Sequence, residues 1–384
     1  MTKVFATKPL RVLHMAHVRW FNAEAQYALD LAQEMARRGN RVAFLTQAGS
    51  PAADRAREAG LETIEEGGFS AKGVGAVAAV PAALRLSRLL RSGGFDAVEV
   101  HRPDGLPLIA WACHRAGVPV VRVRGDMRPV RSDPVNRFLY RRVLAGVVAS
   151  NTAIERSLRE RLGRVRRLVT VQGGVDPEVF TPSGGKADPR AELGLPGGAF
   201  LVGILGRLSL VKGHSDFLEA ARLALRAGAD AAFVILSKEP SPREAELRRE
   251  VDSDPLLAGR VGFLGHRDDL PAVLRSFDAG VVASTGSEAN CRVGLEWMAS
   301  GVALVATRVG VLPDLVAERE SGFLVPPGDP SSLAEKIVYL ARHRPECRRL
   351  GEGARERVLD RFTLAHCASR HEALLSEILG DHRP

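Results

Sequence analysis

Two glutamates, Glu288 and Glu296, enclose seven residues in the stretch SEANCRVGLEW. Glu288 falls in the loop that follows an apolar run, Ala279–Ala283. Glu296 falls about a turn and a half into the helical pattern Cys291–Ser300. The first turn of such a helix has free backbone N–H groups and a partial positive charge, which suits a diphosphate. Two carboxylates beside it can accept hydrogen bonds from the hydroxyls of a sugar or a ribose. A second group of residues, Gly206-Arg207-Leu208-Ser209-Leu210-Val211-Lys212-Gly213, directly follows another apolar run, Phe200–Leu205. Glycines let backbone approach a ligand, arginine can grip two phosphate oxygens, and lysine adds a point charge. Taken singly, each feature also fits a plain surface, with solvated glutamates on a helix and basic residues in an ordinary turn.

The elements that must position these residues read as strand–helix alternation, carried through twice. The first series has strands at Arg11–Met15, Arg41–Thr46, Phe95–Val100, Val118–Val123, Gly146–Ser150 and Leu168–Val171, with an amphipathic helix over Ala23–Arg38. The second has strands at Phe200–Leu205, Ala231–Leu236, Val261–Leu264, Ala279–Ala283, Ala303–Ala306 and Gly322–Val325, with a helix over His214–Arg226. From Pro330 onward the pattern is helical. Short apolar strands separated by helices imply parallel sheets covered on both faces. The Pro- and Gly-rich segment 181–199 is the expected linker between an N-terminal domain, 1–180, and a second domain, 200–362, with a last helix, 363–384, crossing back. Two doubly wound domains leave a cleft between them, and open α/β sheets bind ligands beyond the carboxyl ends of their strands.

Composition narrows the partners. The formal net charge is +9, and it concentrates between Arg115 and Arg167, where 14 arginines meet four acids. Such a field favours a phosphorylated substrate or an anionic membrane surface, or reflects only solvated arginine-rich faces. That stretch has two aromatics, Phe138 and Tyr140, so it offers no stacking platform and nucleic acid is not expected. The four cysteines, Cys113, Cys291, Cys347 and Cys367, are scattered and form no C-x-x-C pair, so neither a metal site nor a disulfide framework is expected. The opening residues lack the apolar core of a signal peptide, and the run Val74–Leu84 is too short to span a bilayer. The expected location is cytoplasmic, with peripheral attachment to the inner face of a membrane through the arginine-rich stretch.

Taken together, Gly-Arg-Leu with Lys-Gly, and Glu-seven-Glu after a later strand, resemble the retaining family-4 (group 1) glycosyltransferases with the GT-B fold. Gly174-Val175-Asp176 with Phe180 and Pro182, Gly262-Phe263-Leu264-Gly265-His266, Gly301, Thr307 and the closing stretch Gly322–Asp329 carry the likeness along most of the chain. The resemblance implies two Rossmann-like domains facing across a cleft, with C-terminal helices packing back on the first. It implies a nucleotide-diphosphate sugar as donor, a glycan or lipid-linked acceptor, no cofactor and no metal. Arg207 and Lys212 would hold the diphosphate and stabilise the charge of the leaving group. Glu288 would bind the transferred sugar and Glu296 the ribose. Gly206, His266 and the segment Asn290, Cys291, Arg292 and Val293 would complete the donor site.

The chain departs from the family on the acceptor side. Phe21-Asn22, then Ala23-Glu24, stand where the family has Gly-Gly-x-Glu. Arg124 stands where many members have a histidine, and a permanently charged arginine is no general base. Asp126 then either orients an acceptor hydroxyl or merely pairs with Arg124 or Arg128. His101, Asn22, Glu24, Arg124 and Asp126 are the acceptor-side candidates, though His101 reads equally as a structural histidine. Trp20 and Phe21 offer a stacking wall or simple packing. Cys291 replaces a glycine and is expected to be a packed thiol. Transfer to a cell-surface glycan such as lipopolysaccharide is the leading expectation. The alternatives are a nucleotide-sugar-binding scaffold that has lost catalysis and a nucleotide-sugar epimerase.

Overall fold

The computed structural model describes residues 8–18, 20–69, 75–102, 104–237 and 241–381. The first seven residues, read above for a leader, and Val74 lie outside them. The chain divides into two compact units, 1–173 with 364–384, and 174–363.

The first unit is a seven-stranded sheet of β1 (Arg11–Met15), β2 (Arg41–Thr46), β3 (Glu62–Glu65), β4 (Ala97–Val100), β5 (Val120–Arg124), β6 (Gly146–Ala149) and β7 (Leu168–Thr170). The spatial order is β3-β2-β1-β4-β5-β6-β7 and neighbouring strands run parallel. Its helices are α1 (Ala23–Arg37), α2 (Pro51–Glu58), α3 (Gly75–Gly93), α4 (Leu106–Ala116), α5 (Pro134–Phe138) and α6 (Thr152–Leu162). The central strands are almost wholly buried, as a sheet covered on both faces requires. Strand β3, with sequence ETIE, is a half-exposed edge, which is why its apolar signal is too weak to read.

The second unit holds β8 (Phe200–Leu205), β9 (Ala231–Leu236), β10 (Val261–Leu264), β11 (Ala279–Val282), β12 (Ala303–Thr307) and β13 (Gly322–Val325). Their order, β10-β9-β8-β11-β12-β13, matches that of the first six strands of the other sheet. Around them lie α7 (His214–Arg226), α8 (Pro242–Ser253), α9 (Leu270–Leu274), α10 (Arg292–Ala299), α11 (Leu312–Leu315), α12 (Pro330–Arg342) and α13 (Arg344–Arg361). Successive side chains of β8 feed two separate core layers, Leu201 and Leu205 on one face and Phe200, Val202 and Ile204 on the other.

The segment 181–199, expected as the linker, is packed on the second unit. Phe180, Leu195 and Ala199 enter its core, and Arg275 donates to the Gly185 carbonyl at 2.9 Å. The chain passes between the units at Gly173–Gly174 and again at Thr363–Leu364, so 174–180 belongs with the second unit. Of the C-terminal helices, α12 and α13 stay on the second unit, while α14 (Leu364–Gly380) packs on α1 and on the first sheet. Leu374, Leu375 and Ile378 join the core of the first unit. Ile378 lies 3.1 Å from where a side chain at Gly146 would begin.

Candidate functional site

In both sheets the strand order reverses direction at one place, between β1 and β4 and between β8 and β11. Ligands of open α/β sheets bind beyond the carboxyl ends of the strands at such a switch point. In the second unit the two sequence groups read first sit on either side of it. Gly206–Lys212 follows β8, and Ser284–Asn290 follows β11.

These two loops are locked together. Lys212 forms an ion pair with Glu288, whose carboxylate also accepts a hydrogen bond from the Ser284 hydroxyl. The Thr285 amide donates to the Val211 carbonyl at 2.9 Å. Gly213 explains how close they come: it holds φ +71°, and a Cβ there would lie 1.9 Å from the Ala283 carbonyl oxygen. A third loop, after β12, fixes the other side of Glu288. The Val311 amide donates to the Glu288 carbonyl at 2.8 Å, and a Cβ on Gly310, at φ +57°, would lie 1.8 Å from that oxygen. The Thr307 hydroxyl donates to the Ser284 carbonyl at 2.6 Å. Ser287 is held at φ +60°, a conformation that costs a non-glycine residue energy and is kept because its surroundings over-determine it.

Helix α10 is drawn onto the same switch point by its tryptophan. Gly203 of β8 and Gly280 of β11 are register partners, and together they form a floor without side chains. Trp297 lies on it, 2.9 Å from a Cβ built at Gly203 and 2.5 Å from one built at Gly280. Trp297 is fully buried and meets Phe277 edge-on at 5.2 Å. This brings Arg292 and Glu296 to the end of β11. Arg292 pairs with Glu296 across one turn at 3.0 Å, and Glu296 is 1% exposed. The other Glu296 oxygen, Oε2, and the Asn290 side-chain oxygen are buried and receive no hydrogen bond. Buried acceptors without donors suit a ligand that brings hydroxyl groups.

Arg207 is exposed and has no partner among the described residues, while Gly206 has open space where a side chain would stand. Cys291 is buried; burial, with the Glu288 carboxylate beside it, pushes its thiol well above the usual range, so it offers no thiolate. Val293 packs against the core. His266 is not gathered with the others. It stands after β10, two strands from β8, exposed and 3.1 Å from Asp268. The cationic loop of Arg207 and Lys212, the carboxylate of Glu288 and the start of α10 can therefore cradle an anion and bind hydroxyls on one strand edge. Sequence reasoning named Thr307 without giving it a role, and missed the parts of Ser284, Gly310 and the Trp297 floor. The signal present was a glycine inside each of two apolar strands, which marks a close approach.

The switch point of the first unit is built differently. Asn22 is the N-cap of α1, in an extended conformation at φ −132°, and accepts a hydrogen bond from the Ala25 amide at 3.0 Å. No left-handed turn is needed where the family has glycines. Glu24 is paired with Arg102, which follows β4. Trp20 is 80% exposed, whereas Phe21 lies under the Arg55 guanidinium, 4.2 Å from its ring centre. Arg124 is buried and donates to the backbone carbonyls of Asp126 and Arg128, stapling its own loop. Asp126 is paired with Arg128 at 2.9 Å; burial raises its pKa, but the Arg128 hydrogen bonds outweigh this and hold it below the usual carboxylate range. Both residues are thus engaged within the loop.

His101 is buried and belongs to an interior polar network. It lies 3.1 Å from His14, whose other neighbour, Glu99, is at 3.5 Å. Glu99 is 2.8 Å from His371 of α14, and His371 bonds the Tyr27 hydroxyl at 2.9 Å. Burial pushes His14 down to about 4 and His101 well below its ordinary value. Burial also works against a charged His371, but Glu99 overcomes it and raises that group to about 10. Burial opposes ionisation of Glu99, yet the His371 cation holds its pKa below the usual range. Among the described residues, His14, Glu99 and His101 are the one group whose ligand atoms could converge on a metal, within 4.8 Å of one another.

Two Rossmann-like domains, with an anion-favouring pair of loops at the switch point of the second, are the architecture of GT-B glycosyltransferases. Two family models match, Glycosyltransferase Family 4 over residues 25–179 and Glycosyl transferases group 1 over residues 199–343. A D-inositol 3-phosphate glycosyltransferase of Saccharomonospora viridis is 31% identical over 365 residues, 86% of this chain and 83% of that one. The lipopolysaccharide core biosynthesis mannosyltransferase LpsB of Rhizobium meliloti is 26% identical over 267 residues, 64% of this chain and 72% of its own. Among solved structures, HepE of Anabaena in complex with UDP superposes with a TM-score of 0.80 at 21% identity, covering 96% of this chain and 100% of that one. The chain belongs to the family-4, group 1 glycosyltransferases and is a glycosyltransferase.

Proposed function

We propose that this glycosyltransferase takes its sugar from a nucleoside-diphosphate sugar, transfers it with retention of anomeric configuration and uses no metal ion. The observation that carries the reading is the lock between Lys212 and Glu288 at the end of β8 and β11, with Arg207 unpaired beside it. Two cations on the strand edge, Lys212 held by Glu288 and Arg207 free to turn to a ligand, can bind the diphosphate and stabilise the charge that grows on it as the bond to the sugar breaks, which is the part a metal would otherwise play. Glu288 accepts hydroxyls of the transferred sugar. Glu296, whose Oε1 is paired with Arg292 and whose Oε2 has no partner, accepts hydroxyls of the ribose. The leaving phosphate takes the acceptor's proton as the acceptor oxygen attacks the face from which the phosphate departs.

The acceptor is a glycan or a lipid-linked saccharide of the cell surface, bound by the strand-end loops of the first unit, with Asp126 exchanging part of its Arg128 pairing for the acceptor hydroxyl. Likeness to LpsB supports this choice. The arginine-rich stretch Arg115–Arg167 holds the protein at an anionic membrane surface, and no helix of the described residues is long and apolar enough to cross a membrane. The test is thermal stabilisation by a panel of nucleotide sugars, since a ligand that binds only the folded state raises the melting temperature. One nucleotide sugar should stabilise the wild type and lose that effect in Glu288→Ala and Arg207→Ala. No shift with any of them at saturation would falsify the donor assignment.

A further inference from the structure

Helix α5 and the chain that follows it combine exposed apolar side chains with unneutralised arginines. Asp133 caps α5, accepting from the Asn136 amide at 2.9 Å, yet none of the residues of the helix is buried. Val135 is 62% exposed and Phe138 63% exposed. They are one turn apart and so share a side of the helix. The chain continues into a single wide turn, Leu139–Val143, that buries Leu139 and Tyr140 and leaves Arg141 and Arg142 outside. Arg141, Arg142, Arg164, Arg166 and Arg167 line a cavity of about 860 Å³ there. Arg141 is spent on the Leu162 carbonyl at 2.8 Å, and Arg167 on Glu377 at 3.1 Å. Arg142, Arg164 and Arg166 are exposed, with no side-chain partner among the described residues.

We propose that this face docks on an anionic lipid bilayer, with Val135 and Phe138 entering the headgroup boundary and Arg142, Arg164 and Arg166 taking lipid phosphates. Water is a poor solvent for the first pair, and no charge among the described residues pairs with the second group. A surface that is apolar just beneath a layer of phosphates satisfies both, and a soluble phosphate satisfies only the arginines. The face starts from the loop that leaves β5, the strand whose end carries Arg124 and Asp126. This deepens the proposed lipid-linked acceptor and rests on that reading only for why a membrane would be met.

The test is flotation of the full chain with phosphatidylcholine vesicles, with and without phosphatidylglycerol, while nucleotide-sugar stabilisation is measured on the same preparations. The wild type should float only with the anionic vesicles, and added salt should release it. Each arginine near such a surface is worth about fivefold, so Arg142→Gln, Arg164→Gln and Arg166→Gln combined should weaken binding ~100-fold. Val135→Ser with Phe138→Ser should weaken it as well. No binding by the wild type, full binding by the arginine variant, or binding untouched by the two serines would each overturn the proposal. So would release from the vesicles by inorganic phosphate at unchanged ionic strength, which would point to a soluble phosphate ligand. Lost flotation with donor stabilisation intact confines the effect to this face; lost donor stabilisation with flotation intact counts against the donor reading alone.

Discussion

The two switch points share a topology and differ in what stands on their central strand pair. In the second unit the register partners Gly203 and Gly280 carry no side chains, and Trp297 of the following helix lies on them. In the first unit the register partners His14 and Glu99 carry titratable ones, and His371 of α14 closes over them. One floor is bare, so that a helix start and its carboxylates reach the strand edge. The other is filled by a polar network that holds the last helix of the chain. The same strand order therefore yields an open edge, the proposed ligand edge, in one unit and a clasp in the other, because the inner residues differ.

The clasp predicts the largest effect. Glu99→Gln leaves His371 without its counter-charge in the interior and should cost about 3–5 kcal/mol of stability, read by denaturant melts of the full chain. It should not by itself abolish donor binding. The same network sets a pH dependence of opposite sign on its two sides. His371, raised to about 10, contributes stability that is fully present below the unfolded histidine value of 6.5 and is lost as pH rises through 10. His14, lowered to about 4, works the other way: the unfolded chain takes up its proton first, so stability is lost as pH falls from 6.5 toward 4. Melting temperature should thus fall on the alkaline side in the wild type, and His371→Gln should flatten that limb.

Substitution at the ligand edge should reverse the pattern, with chemistry lost and stability kept. Arg207→Ala removes an exposed cation, so melting should barely move, while kcat/KM should drop about 100- to 1,000-fold. A fall of melting temperature in Arg207→Ala, or undiminished turnover, would erase the contrast between the two edges. The bare floor gives an intermediate case. Gly280→Ala places a methyl group against Trp297, and overpacking of this kind should cost about 1–3 kcal/mol. Because α10 must back away, donor stabilisation should weaken with it, which a purely structural glycine would not do.

How far sequence reached follows from the same contrast. The meeting of two loops at the second switch point was legible because their residues are local: Gly206–Gly213 and Glu288–Glu296 each follow an apolar strand within a few positions. The clasp was not, because Glu99 and His371 are separated by 272 residues and nothing near either names the other. His101 therefore read equally as a cleft residue or a structural one, and the structure buries it beside His14. Arg124 and Asp126 have the polarity that an acceptor site needs, yet their loop spends both internally, on carbonyls and on Arg128. The packing of 181–199 stayed hidden for the same reason, since Pro and Gly mark irregular backbone but do not say which unit it packs on.

The smallest effect tests the departure from the family at Phe21-Asn22. Asn22 spends its side chain on the Ala25 amide, so it starts α1 as a cap rather than as a tight glycine turn. Asn22→Ala should cost about 1 kcal/mol, and Asn22→Gly only a few tenths, because glycine is itself tolerated at this position. If the loop serves only to start the helix, turnover at saturating acceptor should follow stability and be nearly equal in both variants. If Asn22 also touches the acceptor, Asn22→Gly should keep its stability and still show a raised acceptor KM. That split, measured at a temperature where both variants are folded, separates a cap from a binding residue, and it places the reshaped loop either with the clasp or with the ligand edge.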